Sequence, residues 1–353
     1  MNAETTPLPP SSSSTPSSTR SFAWLVDVGS CSDKGCVRTG NEDVAFVCEI
    51  GGRAFNVDEP AHGALEAPLV LGVCDGMGGA AAGEVASRET AAHLGAVLSS
   101  LGRGDLRATT MGRAITLALE DASHALLDLA RKRPAYAGMG TTATVCALAG
   151  KELVIGQVGD SRAYLLRDRE LLQLTRDQTL AQLMIERGQL QPEELSSFFG
   201  AHVILQAVGT TDRLEVDLRV VRVSRGDVLL VCSDGLVDAL SSEAITEGLA
   251  SPERASEIAK DLVARANDAG ATDNVTCVVA RIVAGGPRGE RPADRVTPAE
   301  PLALEPPVPD PVVEDEQARD DQRATEAASH DDEPPTRKST ALRLWHRLTT
   351  FRR

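Results

Sequence analysis

The sequence predicts an α+β layered domain. Apolar runs of strand length recur through the middle of the chain, helical stretches come in groups instead of alternating with those runs, and polar tails bound the whole. Grouped strands and grouped helices favour stacked layers over a strictly alternating parallel sheet. At 353 residues, one large layered domain with loose ends fits as well as two average domains. Aromatic residues make up only 3% of the chain, so the core must be built from Ala, Val, Leu and Ile.

Residues 1–20 (MNAETTPLPPSSSSTPSSTR) hold too little apolar surface to offset the entropy of ordering, and we expect a disordered lead. Strand-length runs follow at Val44–Cys48, Leu69–Cys74, Thr142–Leu148, Leu153–Val158, Ala163–Leu166, Leu218–Val223, Val228–Cys232 and Val275–Val283. Two helices are expected together, over Glu84–Leu101 and Arg107–Lys132, where Ile115, Leu119, Ala122, Leu126 and Leu129 recur at helical spacing. A third runs from Glu253 to about Asn267, after the start signal Ser251-Pro252-Glu253. Asp177–His202 interrupts the strand series with a short helical pattern, a Gly188 stop and a Pro192 restart. The domain is expected over 21–284, followed by an acidic, Pro-rich, disordered linker over 285–336 and a basic tail over 337–353.

The formal charge of −15 argues against a nucleic-acid binder, whose affinity rests on clustered Lys and Arg. Seven scattered cysteines without a Cys-x-x-Cys pair indicate neither a disulfide framework nor a zinc site, and a reducing cytosol is the expected compartment. No signal peptide is expected at the start, and no run approaches the ~20 apolar residues of a membrane span.

Acidic residues repeatedly sit where apolar runs begin or end. PLVLGVCDGMGG closes a strand on Asp75 and strips the following turn nearly bare; Glu42 and Asp43 open one run; Asp160, Asp234 and Asp273 stand at the ends of others. A single Asp beside a Gly is usually only a turn, because Asp bonds its own backbone and Gly supplies positive φ. If these ends share one edge of the fold, however, the acids converge and repel unless cations separate them. Oxygen-only ligands select Mg²⁺ or Mn²⁺ over zinc, and Gly76, Gly78 and Gly79 would let the backbone approach an ion.

The segments SDKGCVRTGNED (32–43), DGMGG (75–79), GMGTT (138–142), GDSR (159–162), CSDGL (232–236) and DNVT (273–276) occur in this order. Together the series resembles that of the bacterial PP2C (PPM) metal-dependent protein serine/threonine phosphatases, over about residues 22–283. The resemblance implies a four-layer αββα sandwich, two central antiparallel sheets flanked by helices, with a small flap at about 177–202. It implies hydrolysis of phosphoserine and phosphothreonine in phosphorylated proteins, opposing bacterial Ser/Thr kinases, with two Mn²⁺ or Mg²⁺ ions. By motif position, Asp75 bridges the ions, Asp234 and Asp273 hold the first, and Glu42 and the Gly76 carbonyl belong to the second. Asp43 acts through water, Arg38 binds phosphate, and Asp160 with Asp234 holds a third, weaker ion. Water attacks phosphorus directly, in agreement with the lack of a Cys-x5-Arg signature. Arg38, Asp75 and Asp234 are thus the expected catalytic set, and a monomer is expected. Taken as residues alone, Asp160 could equally form a plain turn and Arg38 a solvated surface arginine.

Two departures from the family pattern stand out. Met77 occupies the position where many eukaryotic members carry a proton-donating histidine, and the histidines at 62, 93, 124, 202, 330 and 346 lie outside the motifs. A basic His-Pro-x-Arg turn near the end of the flap is replaced by Ser197-Phe198-Phe199-Gly200-Ala201-His202, whose phenylalanines are either core anchors or an exposed ridge. In the tail, Leu344, Trp345, Leu348 and Phe351 share a helical face opposite arginines, the pattern of an amphipathic segment for an anionic membrane or a partner, or of a frayed end. Two other readings stand beside hydrolysis of phosphoproteins: a catalytically weak or inactive binding module that kept the fold, and a metal-dependent nuclease or nucleotidase, which the acidic balance disfavours.

Overall fold

The computed structural model describes residues 24–52, 62–78, 82–104, 106–285 and 298–304. The first strands are β1 (Leu25–Asp33), β2 (Asp43–Glu49), β3 (His62–Glu66) and β4 (Leu69–Met77), followed by helices α1 (Ala82–Ser99) and α2 (Ala108–Lys132). Next come β5 (Gly140–Thr141), β6 (Ala143–Ala149), β7 (Glu152–Val158), β8 (Arg162–Arg167) and β9 (Glu170–Gln173), then α3 (Leu180–Glu186). The chain continues through β10 (Asp217–Arg222), β11 (Val228–Cys232), α4 (Asp234–Ala239), α5 (Ser242–Leu249), α6 (Ala255–Asp268), β12 (Val275–Ala284) and β13 (Glu300–Pro301).

The strands form two antiparallel sheets, ordered β3-β1-β12-β11-β8-β9 and β13-β10-β7-β6-β4-β2, with β5 paired to β4. Period-two alternation sorts the side chains of each strand between two cores. On β4, Val70 and Cys74 face α1 and α2, while Leu69, Leu71 and Val73 face the other sheet; on β6, Val145 and Ala147 part from Cys146 and Leu148 in the same way. A third core lies between the β11–β12 sheet and α4 to α6, built on Leu230, Ile258, Leu262 and Val279. Three stacked cores make four layers, the expected αββα sandwich. Close helix approach is set by small residues: a Cβ on Gly156 would lie 2.4 Å from Ile115 of α2, and one on Gly29 2.2 Å from the Ser256 backbone of α6.

Helices α1, α2 and α6 match their expected spans within two residues, whereas β1 was not among the expected strands. Its run LVDVGSCSD breaks the apolar pattern with Asp27 and Gly29, both explained only by α6: the Asp27 carboxylate accepts the Ala255 N–H at 2.8 Å, at the start of that helix. The flap also closes later than expected. The bridge Thr179↔Ile204 and the bond from Leu205 N to Gln178 O put its exit at 205. Phe198 and Phe199 divide the two roles left open for them, Phe198 packing beside Gly200 and Leu180 while Phe199 is fully exposed.

Residues 298–304 fall inside the stretch expected to be an unstructured linker, yet they extend a sheet. Glu300 and Pro301 pair with Val220 and Arg219, Leu302 N donates to Leu218 O, and Leu302 and Leu304 fill the notch left by Gly112 on α2. The expected lead over 1–20, the basic tail over 337–353 and Gly79 lie outside the described residues. Among the described residues, no helix is long and apolar enough to cross a membrane.

Candidate metal centre

Antiparallel order explains why the acids meet. Strand β4 runs toward the edge where β2 starts, β7 runs toward the start of β8, and β11 toward the start of β12. Asp43, Asp75, Asp160, Asp234 and Asp273 all stand at those starts and ends. The acids of the expected set therefore gather at one end of the sandwich.

Each is held by short local chemistry. The backbone of Asp75 is fixed from both sides, its N–H donating to Thr142 Oγ1 at 3.0 Å and its carbonyl accepting from Thr141 Oγ1 and Thr142 N, each at 2.8 Å. Asp43 Oδ2 accepts from the Ser233 hydroxyl at 2.7 Å, and Ser233 Oγ in turn accepts the Thr276 N–H at 3.1 Å, so one serine ties the two sheets at the acid edge. Asn274 is the hub for the outer acids. Its Oδ1 accepts the Glu42 N–H, its Nδ2 donates to the carbonyls of Lys34 and Gly40, and its own N–H donates to Asp273 Oδ1. Gly235 lets α4 start against this loop, since a Cβ there would lie 2.1 Å from Asn274 O.

Burial and mutual repulsion make these acids hard to ionise. Burial foremost, then Asp43 and Asp234, push Asp75 well above the usual carboxylate range. Burial lifts Asp43 to about 7 against the opposing help of Ser233, and lifts Asp160 to about 8 with the Asp234 charge adding to it. Asp234 is raised to about 6 by burial, Asp238 and Asp273. Oδ1 of Asp43, of Asp160 and of Asp234 is buried without a hydrogen-bond partner. A buried carboxylate oxygen without a partner is costly, and one such oxygen on each of three clustered acids is an arrangement that fits a cation.

The backbone beside them is cleared for the same purpose. A Cβ on Gly76 would lie 2.2 Å from Gly83 O, and a Cβ on Gly83 would lie 2.7 Å from Glu42 Oε2. Only glycine at both positions lets β2, β4 and α1 close around the Glu42 carboxylate and the Gly76 carbonyl. With donors that are all oxygen, the set fits Mn²⁺ or Mg²⁺.

Arg38 sits at the mouth with its side chain half exposed, and its Nη2 donates to Asp273 Oδ2 at 2.6 Å. Its charge also reaches Glu42 and Asp75. Ser233, Thr142 and Asn274 lie within or beside the motif segments but had no assigned part; their roles depend on bonds to residues far away in the chain, which motif spacing does not display. Asp238, one helical turn after Asp234, had a legible signal in its i, i+4 spacing.

A family model described as protein phosphatase 2C matches residues 54–280. The serine/threonine protein phosphatase PstP of Mycobacterium tuberculosis is 38% identical over 252 residues, 71% of this chain and 44% of the relative, so the match spans less than half of that protein's length. The serine/threonine phosphatase stp of Listeria monocytogenes is 33% identical over 247 residues, 70% of this chain and 92% of the relative. Among solved structures, the catalytic domain of PstP in complex with two manganese ions superposes with a TM-score of 0.61 at 36% identity, covering 74% of this chain and 99% of that one.

Proposed function

The chain belongs to the protein phosphatase 2C family, and from that membership we propose that it hydrolyses phosphoserine and phosphothreonine in proteins at a two-cation carboxylate centre. The observation that carries this reading is the convergence of Asp43, Asp75, Asp160 and Asp234 with orphaned carboxylate oxygens. When bound, divalent cations supply the positive charge that neutralises phosphoryl oxygens and makes water acidic enough to attack near neutral pH. Asp75 would hold both ions, with Asp234 and Asp273 on one side and Glu42 and the Gly76 carbonyl on the other. Thr141 and Thr142 keep Asp75 in place through its backbone, and Ser233 orients Asp43. Arg38, anchored on Asp273, presents a guanidinium fork suited to two phosphate oxygens. Met77 offers no proton for the departing serine or threonine oxygen, so that proton has to come from another group.

We extend the proposal to substrates and setting. Proteins phosphorylated by Ser/Thr kinases are the substrate class, a cytoplasmic location fits seven free thiols, and the catalytic unit is a monomer spanning about 21–284 with the edge strand Glu300–Pro301. Hydrolysis of a phosphothreonine peptide by the full chain tests the activity: turnover with Mn²⁺, loss with EDTA and recovery on re-addition are expected. Binding of the peptide without turnover in Mn²⁺ would favour the non-catalytic module instead.

A further inference from the structure

The sandwich has a second end, opposite the acids. Strands β8, β11 and β12 run between the two: Asp160, Asp234 and Asp273 stand beside them at one end, and Leu166, Val228 and Ile282 at the other. These three apolar side chains, with Leu249 of α5, form the floor of an open cleft of about 440 Å³. Its mouth carries Arg169, Arg225 and Arg281 against a single carboxylate, Asp168.

Backbone carbonyls, not acids, hold two of these arginines. Arg225 Nε donates to Val283 O at 3.2 Å, Arg281 Nη1 to Pro252 O at 3.1 Å and Arg281 Nη2 to Ser251 O. Such contacts fix the guanidiniums in place and leave their charge uncompensated. The neighbouring Arg167 differs, since the buried Asp227 neutralises it. Arg169 is presented by the two-residue turn between β8 and β9, where Asp168 and Arg169 take φ of 50° and 65°. That conformation favours Asn and Gly, so the arginine is kept there against the preference of its own backbone. In a chain of net charge −15, the cleft is a local reversal of sign.

We propose that this cleft binds a small organic phosphate. The guanidiniums at the mouth take phosphate oxygens, and the floor of Leu166, Val228, Leu249 and Ile282 takes the apolar body of the ligand. The volume lies within the roughly 300–1,000 Å³ of small-molecule sites, and an apolar floor with a few convergent polar groups is their usual composition. A bare inorganic anion would leave that floor uncovered. The cleft lies roughly 20 Å from the acids along β8 and β11, at about 3.3 Å per residue, and shares no residue with the metal centre. Its filling therefore depends neither on divalent cations nor on hydrolysis.

Calorimetric titration of the full chain in EDTA, which keeps cations from the acid end, tests this with 1-naphthyl phosphate, inorganic phosphate and a phosphothreonine peptide as probes. The naphthyl ester should bind at a single site, and inorganic phosphate, lacking the apolar body, about tenfold or more weakly. Arg169→Gln and Arg225→Gln, both at exposed positions, should each weaken the ester by about tenfold or more while melting like the wild type. Binding should persist in Arg38→Ala. Failure of the ester to bind in EDTA overturns the proposal, as does equal binding by the wild type and the Arg169→Gln/Arg225→Gln double variant. Loss of binding in Arg38→Ala would move the probe to the metal centre, and inorganic phosphate binding as tightly as the ester would remove the floor from the site. Phosphopeptide binding at least as tight as the ester, through Arg169 and Arg225, would assign the cleft to phosphorylated proteins and overturn the small-ligand reading.

Discussion

Asp43 and Asp75 lie directly opposite one another in the antiparallel β2–β4 ladder. Like charges directly opposite one another destabilise a sheet. These two are screened poorly, because burial raises the pKa of both. The pair is a stability cost that a cation converts into a binding site.

Asp75→Asn should therefore stabilise the cation-free chain, raising its Tm by roughly 2–4 °C for each kcal/mol relieved. The same variant should lose most of the Tm gain that Mn²⁺ gives the wild type. Thermal melts in EDTA and in Mn²⁺ check both statements.

The raised acids fix the sign of the pH dependence. Unfolded carboxylates titrate near 4, whereas folded Asp43 and Asp160 are held at about 7 and about 8. Between those values the folded chain binds more protons than the unfolded one, so cation-free stability is greatest in acid and is lost as pH rises toward about 8. Melts in EDTA should give a lower Tm at about pH 8 than at about pH 5.5, with Mn²⁺ rescuing more at the higher pH as the ion displaces those protons. A Tm that rises with pH in EDTA would contradict the burial of these acids.

Arg38 reaches Asp273 from a half-exposed position, so its pairing adds little stability. Arg38→Ala should leave the Tm nearly unchanged and raise KM for a phosphothreonine peptide, with Arg38→Lys recovering the charge but not the two-point fork. An unchanged KM would remove Arg38 from the phosphate site.

A second ion pair provides the opposite case. Arg167 and Asp227 are 6% and 1% exposed, joined at 2.7 and 2.8 Å, at the end of β8 away from the acids. Removing one partner strands a buried charge, and Arg167→Ala should cost about 3–5 kcal/mol of stability. Turnover per folded molecule should persist, which urea melts and active-site titration can separate.

The readable part of this protein lies where one residue type serves one local need. The strand ending on Asp75, the bare turn after it and the acids at 43, 160, 234 and 273 are visible as runs and punctuation. Strand β1 was hidden because Asp27 and Gly29 answer to α6, more than 220 residues later, as the Asp27 bond to Ala255 shows. Strand β13 was hidden because Leu302 and Leu304 stand among prolines and acids and are covered only through the notch at Gly112. His202 could not be placed from spacing, since its approach to Asp238 depends on how the flap folds back.

The central claim is that the acids gathered at the strand ends hold the cations that drive hydrolysis. Turnover of a phosphothreonine peptide by Asp75→Asn in saturating Mn²⁺, with folding verified by its melt, tests it most directly. The account predicts a loss in kcat of about a hundredfold to a thousandfold, the scale of removing preorganised stabilisation of transition-state charge. Turnover comparable to the wild type would contradict it.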